Sequence, residues 1–286
     1  MTAFPWIEGV AGNVFADGKR LEAVAYGPPP DQAPTIVALH EGLGCVALWR
    51  DFPQKVAAAT GHGVLAYSRA GYGASDPVDL PRPLDYMSRE ARFSLPTVLD
   101  AIGLKRGILL GQSDGASIAA IAAGEPSDER INGLILMAPH LFTEAMGLAS
   151  IAEARRAYET GDLRARLAKY HAHVDVAFRG WNDAWLDPGF KAWNIEDAVR
   201  RWRVPALIIQ GADDQYGTVK QVRAIKARSP APVQTLILEA CRHAPQFDQP
   251  EATIAAIVRF CAEVAKAQGA LMRVRRGGQI NPNKSK

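Results

Sequence analysis

A serine sits between glycines in Gly111-Gln112-Ser113-Asp114-Gly115, directly after the apolar run Gly107–Leu110 and before a run of small residues. That spacing suits a sharp strand-to-helix turn that lifts a hydroxyl clear of a sheet. Glycines two before and two after the serine remove side chains that would clash there. A helix N-terminus beneath the serine favours developing negative charge. The chemistry this predicts is nucleophilic attack by an activated hydroxyl, which needs a neighbouring base and a group to orient that base. No metal chemistry competes with it. His171 and His173 stand two apart, which does not make a metal pair on a helix face, and the chain holds no HExxH or Cys/His cluster. Phosphate loops and dinucleotide fingerprints are also missing. Neither a metal nor a cofactor is expected.

The elements that must carry such a turn are legible as alternating strands and helices. Short apolar runs without alternation lie at Thr35–Leu39, Gly63–Tyr67, Gly107–Leu110, Gly133–Met137, Ala206–Ile209 and Val233–Leu238, as expected of strands covered on both faces. Helical stretches lie between them at Ala47–Thr60, Asp85–Ile102, Ala116–Ala123, Thr218–Ala227 and Pro250–Ala267. The alternation predicts an α/β fold with a mostly parallel, twisted sheet and helices on both faces. Ahead of it, Asn13–Ala16 and Arg20–Tyr26 flank Asp17-Gly18 and read as a β-hairpin. From His140 to Trp202 no strand is expected, and four of the six tryptophans fall there: Trp181, Trp185, Trp193 and Trp202. That stretch is too long for a connection and reads as an inserted helical cap. The expected organisation is a core of residues 1–139 and 203–268, a cap of 140–202, and a basic, flexible tail of 269–286.

The serine turn and its surroundings resemble the α/β-hydrolase superfamily, from about Pro34 to Ala265 outside the cap. The resemblance implies a triad in chain order serine, acid, histidine. Ser113 is then the nucleophile. The acid follows a late strand in Gly211-Ala212-Asp213-Asp214, where the family's G-x-x-D matches Asp214, with Asp213 the adjacent rival. The histidine is His243 in Cys241-Arg242-His243-Ala244-Pro245, after the last strand. An oxyanion hole would draw on the backbone N–H of Asp114 and on the loop His40-Glu41-Gly42-Leu43-Gly44, from Gly42 or from Leu43. Glu41 departs from the family's usual glycine, and either faces the serine or braces the loop against a base such as Arg69. Asp114 departs too, as a helix-terminal acid or as a contact for a polar or cationic substrate group. Ser68-Arg69-Ala70-Gly71-Tyr72-Gly73-Ala74-Ser75-Asp76 resembles a structural loop of the family. His140, Trp181 and Trp185 are candidate pocket residues, with Trp193 a further one.

The implied activity is that of a serine hydrolase on a carboxylic ester or lactone of a medium-sized, partly apolar substrate. A carbon–carbon bond hydrolase, a cofactor-free haloperoxidase-like esterase, a menaquinone-pathway lyase and a non-catalytic ligand receptor share the layout. Composition narrows the partners. Of 286 residues, 48% are hydrophobic and 22% charged, ordinary for a globular domain. The formal charge of +3 is local: from Gly269 onward there are five bases and no acid, so the body carries 28 bases against 30 acids. No nucleic-acid footprint is expected. No apolar run approaches the roughly 18–20 residues of a membrane span. Met1–Val10 does not read as a signal peptide. Three scattered cysteines fit a reducing cytoplasm. Oligomeric state is not encoded in any of these features.

Overall fold

The computed structural model describes residues 4–125 and 128–277. Its first two strands, β1 (Gly12–Ala16) and β2 (Lys19–Tyr26), pair antiparallel. Asp17 and Gly18 between them have φ of 50° and 69°, the left-handed backbone that a two-residue hairpin turn requires. The remaining strands are β3 (Thr35–Leu39), β4 (Gly63–Tyr67), β5 (Gly107–Gln112), β6 (Ile131–Met137), β7 (Ala206–Gly211) and β8 (Val233–Leu238). The eight form one sheet in the order β1-β2-β4-β3-β5-β6-β7-β8. β2 runs antiparallel to β4, and every later pairing is parallel. Every residue of β3, β4, β5 and β7 is buried. Alternate residues feed two apolar layers. Val37, Leu39 and Leu109 join one, while Ile36, Ala38 and Ile108 join the other.

The helices of the core are α1 (Phe52–Thr60), α2 (Tyr86–Arg89), α3 (Leu95–Ala101) and α4 (Asp114–Gly124). Two depart from expectation. Ala47–Thr60 is not one helix: Val46–Trp49 is a 3-10 turn, Arg50 at φ 54° breaks it, and α1 starts beyond with Pro53 in its first turn, where a missing N–H costs nothing. Asp85–Ile102 is interrupted by a π turn at Glu90–Ser94. Pro96 lies just past it in the first turn of α3, and its lack of an N–H prevents a continuous ladder.

Between β6 and β7 lie α5 (Ala145–Thr160), α6 (Leu163–Leu167), α7 (Val174–Leu186), a 3-10 turn at Pro188–Ala192 and α8 (Glu196–Val199). This is the inserted helical cap. Its only strand-like feature among the described residues is a single bridge between Phe142 and Asn194. The Tyr158 and Phe178 rings stack at 3.7 Å and join α5 to α7. Trp202 is buried and donates its indole N–H to Ala120 O at 2.8 Å, which ties the end of the insertion to α4. Then follow α9 (Val219–Arg228), α10 (Pro245–Asp248) and α11 (Pro250–Gly277). α11 continues past Gly269, where the basic tail was expected to begin; residues 278–286, with Lys284 and Lys286, lie outside the described residues. No helix among the described residues is long and apolar enough to cross a membrane.

Candidate active site

Ser113 occupies the turn from β5 into α4 with φ 52° and ψ −118°. That is a strained backbone for a side-chain-bearing residue, of order 1–3 kcal/mol, and it persists only where its surroundings over-determine it. Here they do. The Ser113 N–H donates to Met137 O at 2.9 Å. A Cβ at Gly111 would stand 2.3 Å from Gly115 O, and one at Gly115 would stand 2.0 Å from Leu39 O. Both glycines are therefore dictated by close backbone approach.

Asp214 lies in the loop after β7, buried, while Asp213 beside it is exposed. The Asp214 carboxylate lies 2.8 and 2.9 Å from His243 Nδ1. It also accepts from Gln210 Nε2 at 2.8 Å and from the Tyr216 and Gly217 N–H groups at 2.8 and 3.2 Å. Burial pushes this carboxyl up, but the hydrogen bonds from His243 and Tyr216 outweigh it and hold it below the ordinary carboxylate value. His243 is held from behind as well. Gln112, inside the serine turn, donates its amide to His243 O at 3.0 Å, and Gln246 donates to Gln112 in turn. Ser113 and His243 line one cavity, and no direct hydrogen bond joins their side chains. Such bonds often close only around a substrate.

The loop after β3 forms the opposite wall. His40 Nε2 accepts from the Arg69 N–H at 3.0 Å, so its Nδ1 carries the proton and donates to Glu41 O at 2.7 Å. Arg69 is buried and spends its guanidinium on the carbonyls of His40 and Glu41. It forms no ion pair with the Glu41 carboxylate, which lies over Gly44, while Glu41 lines the cavity. Burial raises the Glu41 carboxyl, partly offset by its own backbone N–H and by Arg69. Gly42 and Leu43 line the cavity too. A Cβ at Gly42 would stand 2.2 Å from Trp181 Nε1. The cap reaches this loop a second time through His171, whose Nδ1 accepts from the Gly73 N–H and whose Nε2 donates to Leu43 O.

Asp114, the first residue of α4, is fully buried and bridges core and cap. It accepts from Tyr86 Oη and, at 3.2 Å, from Trp185 Nε1. Burial raises its carboxyl, against the pull of Arg69 and these two donors. Its N–H, at a helix start, lacks an intrahelical acceptor. His140 is 4% exposed; its ring lies 5.6 Å from that of His243 and 5.2 Å from that of Trp185. Burial and the nearby His243 push its imidazole down to about 4. Trp181 and Trp185 line the cavity, whereas Trp193 stacks on Phe190 at 5.1 Å and stays out of it. Sequence reasoning missed Glu144, Gly147, Ile151 and Tyr216, which complete the lining. Only Tyr216 carried a usable signal, as it stands two residues after Asp214. The cavity holds about 120 Å³.

This geometry agrees with what the chain is similar to. A model of the alpha/beta hydrolase family matches residues 36–256. Epoxide hydrolase B of Mycobacterium tuberculosis (strain ATCC 25618 / H37Rv) is 32% identical over 104 residues, which are 36% of this chain and only 28% of that protein. A protein of Pseudomonas savastanoi pv. phaseolicola, assigned as the carbamate hydrolase RutD, is 28% identical over 239 residues, 76% of this chain and 90% of that one. The crystal structure of an esterase, RhEst1 from Rhodococcus sp. ECU1013, superposes with a TM-score of 0.68 at 17% identity, covering 89% of this chain and 99% of that chain.

Proposed function

The chain belongs to the alpha/beta hydrolase family, and from its site we propose that it is a serine hydrolase that cleaves a small-molecule carboxylic ester or lactone through an acyl-serine intermediate. The observation that carries this reading is the Asp214 carboxylate 2.8 Å from His243 Nδ1, with the His243 ring and a strained Ser113 on one cavity. Asp214 accepts a hydrogen bond from Nδ1–H, which keeps the proton on Nδ1 and leaves Nε2 with a lone pair. Nε2 takes the Ser113 proton as Oγ attacks the acyl carbon. The backbone N–H groups of Asp114 and Gly42 receive the oxyanion. Collapse breaks the carbon–oxygen bond to the leaving group, which departs with the proton held by His243. Water then attacks the acyl carbon and gives a proton to His243; the bond to Ser113 Oγ breaks, His243 returns the proton to Oγ, and the acid is released.

The cavity supports a compact substrate. Its roughly 120 Å³ is comparable to the about 150 Å³ that accommodates a benzene ring. Trp181, Trp185 and Ile151 make it apolar on the cap side. A carbamate carbonyl offers the same electrophile to the same groups, and the carbamate-hydrolase relative favours it as the second reading. Three free, buried cysteines support a cytoplasmic setting. The test is covalent: a fluorophosphonate probe should label Ser113, and Ser113→Ala should lose labelling and at least about 10³-fold of kcat with an unchanged fold. Labelling elsewhere, or turnover surviving in the folded variant, refutes the reading.

A further inference from the structure

Acidic groups outnumber basic ones around the cavity. Arg69 and Arg82 are buried there, and three carboxylates surround them: Glu41, Glu90 and Asp114. Arg82 pairs with Glu90 at 3.9 Å. Asp114 is drawn by Arg69 and occupied by Tyr86 and Trp185. Glu144, the remaining acid of the lining, is taken up by Thr218 and by Gln221. Glu41 is the one left: it lines the cavity, and its carboxylate lies over Gly44, bonded to its own backbone N–H and to no other described residue. Among the described residues, no lysine or arginine lines the cavity. A second group points the same way. His140 is 4% exposed, lines the cavity, and neither of its ring nitrogens has a hydrogen-bond partner among the described residues. The ring nitrogens are not sealed off, so a donor on a ligand in the cavity can reach them. Kept neutral, it offers a lone pair to a donor.

We propose that this cavity selects a substrate with a protonated nitrogen in its acyl part, with Glu41 as the counter-charge, and that it turns away carboxylates. The inference rests on the hydrolase reading above. Glu41 precedes Gly42, so the nitrogen lies on the acyl side, near the reacting carbonyl. A cation beside Glu41 would restore the ionised form that burial disfavours.

Three p-nitrophenyl esters differing only at the chain end test it: the β-alanyl, butanoyl and monosuccinyl esters, with spontaneous hydrolysis subtracted. Wild type should prefer ammonium over methyl by about tenfold or more in kcat/KM, and methyl over carboxylate similarly, as hydrogen-bonded charge contacts allow. In Glu41→Gln the ammonium-to-methyl ratio should collapse toward one; Glu41→Asp, which keeps the charge, should retain the order. Equal use of the first two esters by wild type overturns the proposal, as does a preference that survives in Glu41→Gln. Failure of the hydrolase reading is seen separately, as absence of probe labelling at Ser113. In that event, quenching of tryptophan emission by β-alaninamide, butanamide and succinamate gives the same comparison without turnover. Equal binding of the three then overturns the proposal.

Discussion

Replacing Gly42 by alanine tests the contact between the cap and the loop that follows β3. The added Cβ would stand 2.2 Å from Trp181 Nε1 and 2.3 Å from its Cδ1. Ordinary contact begins near 3.4 Å, so the indole or the loop must retreat by more than 1 Å. The indole has little room to do so. Trp181 is 7% exposed and packs edge-on against Phe178, which is itself stacked on Tyr158. Overpacking of this kind costs about 1–3 kcal/mol. For a chain of this size that is a fall in Tm of several degrees. Activity should fall further than stability. A shift of about 1 Å in a group that positions the reacting atoms can cost on the order of 10²-fold, and Gly42 is a candidate oxyanion donor. The assay is a double-mutant cycle with Trp181→Leu, read by urea denaturation and by ester turnover. Trp181→Leu alone leaves a void and is destabilising. In the double variant the alanine fills part of it, so the two effects should be sub-additive by more than about 1 kcal/mol. A Gly42→Ala protein with wild-type stability and turnover, or strictly additive effects, would refute the packing argument.

Two further outcomes follow from charges around the site. Asp214→Asn should reduce kcat by roughly 10²–10⁴-fold, because the amide no longer fixes the imidazole in the form that accepts a proton, while Asp213→Asn, at an exposed position, should leave turnover within about twofold; steady-state kinetics showing the reverse would move the acid to Asp213. His140 titrates near 4 in the folded chain against about 6.5 unfolded, so the unfolded chain binds the extra proton, and the stability His140 contributes is complete above about 6.5 and is lost as pH falls toward 4. Glu41 and Asp114, raised by burial, act in the opposite sense, so His140→Asn must be compared with wild type: the stability gap measured by urea denaturation should shift by roughly 2 kcal/mol against wild type between pH 7.5 and 5, and a gap independent of pH would contradict a neutral buried ring.

Strands were the most legible part of this fold. A strand covered on both faces is an unbroken apolar run, and Thr35–Leu39 and Gly63–Tyr67 are such runs, too short for a buried helix of several turns. The hairpin turn was legible for a different reason, since Asp17-Gly18 tolerates left-handed backbone. Helix ends were less so. The break before α1 rests on Arg50 at φ 54° and the π turn on Glu90–Ser94, and neither residue type announces such a conformation. In the site, spacing after a strand was enough to single out Ser113, while His243 came from the family resemblance. The preference for Asp214 over Asp213 needed the family pattern, and burial distinguishes the two in space. Glu41 shows the limit of local reading. Arg69 is beside it, yet Arg69 holds main-chain carbonyls and forms no ion pair with the carboxylate. The cap was recognisable by length and composition, but Trp185 inside the cavity and Trp193 outside it differ only in which side of a bend they fall. That is decided by packing across long sequence separations, which no local pattern encodes.

The tie from Gln112 to His243 O has a consequence for how such a site survives thermal motion. Ser113 follows β5, in the middle of the sheet, whereas His243 follows β8, an edge strand hydrogen-bonded only to β7. Edges open more readily than centres, so nucleophile and base sit on parts of the molecule with unequal tendencies to fray. The Gln112 amide reaches from the serine turn to the histidine's own carbonyl, with Gln246 closing the chain behind it. It acts as a strut between the stiff middle and the loose margin. The residue hidden between glycine and serine thus lends the base the rigidity of a strand three places away.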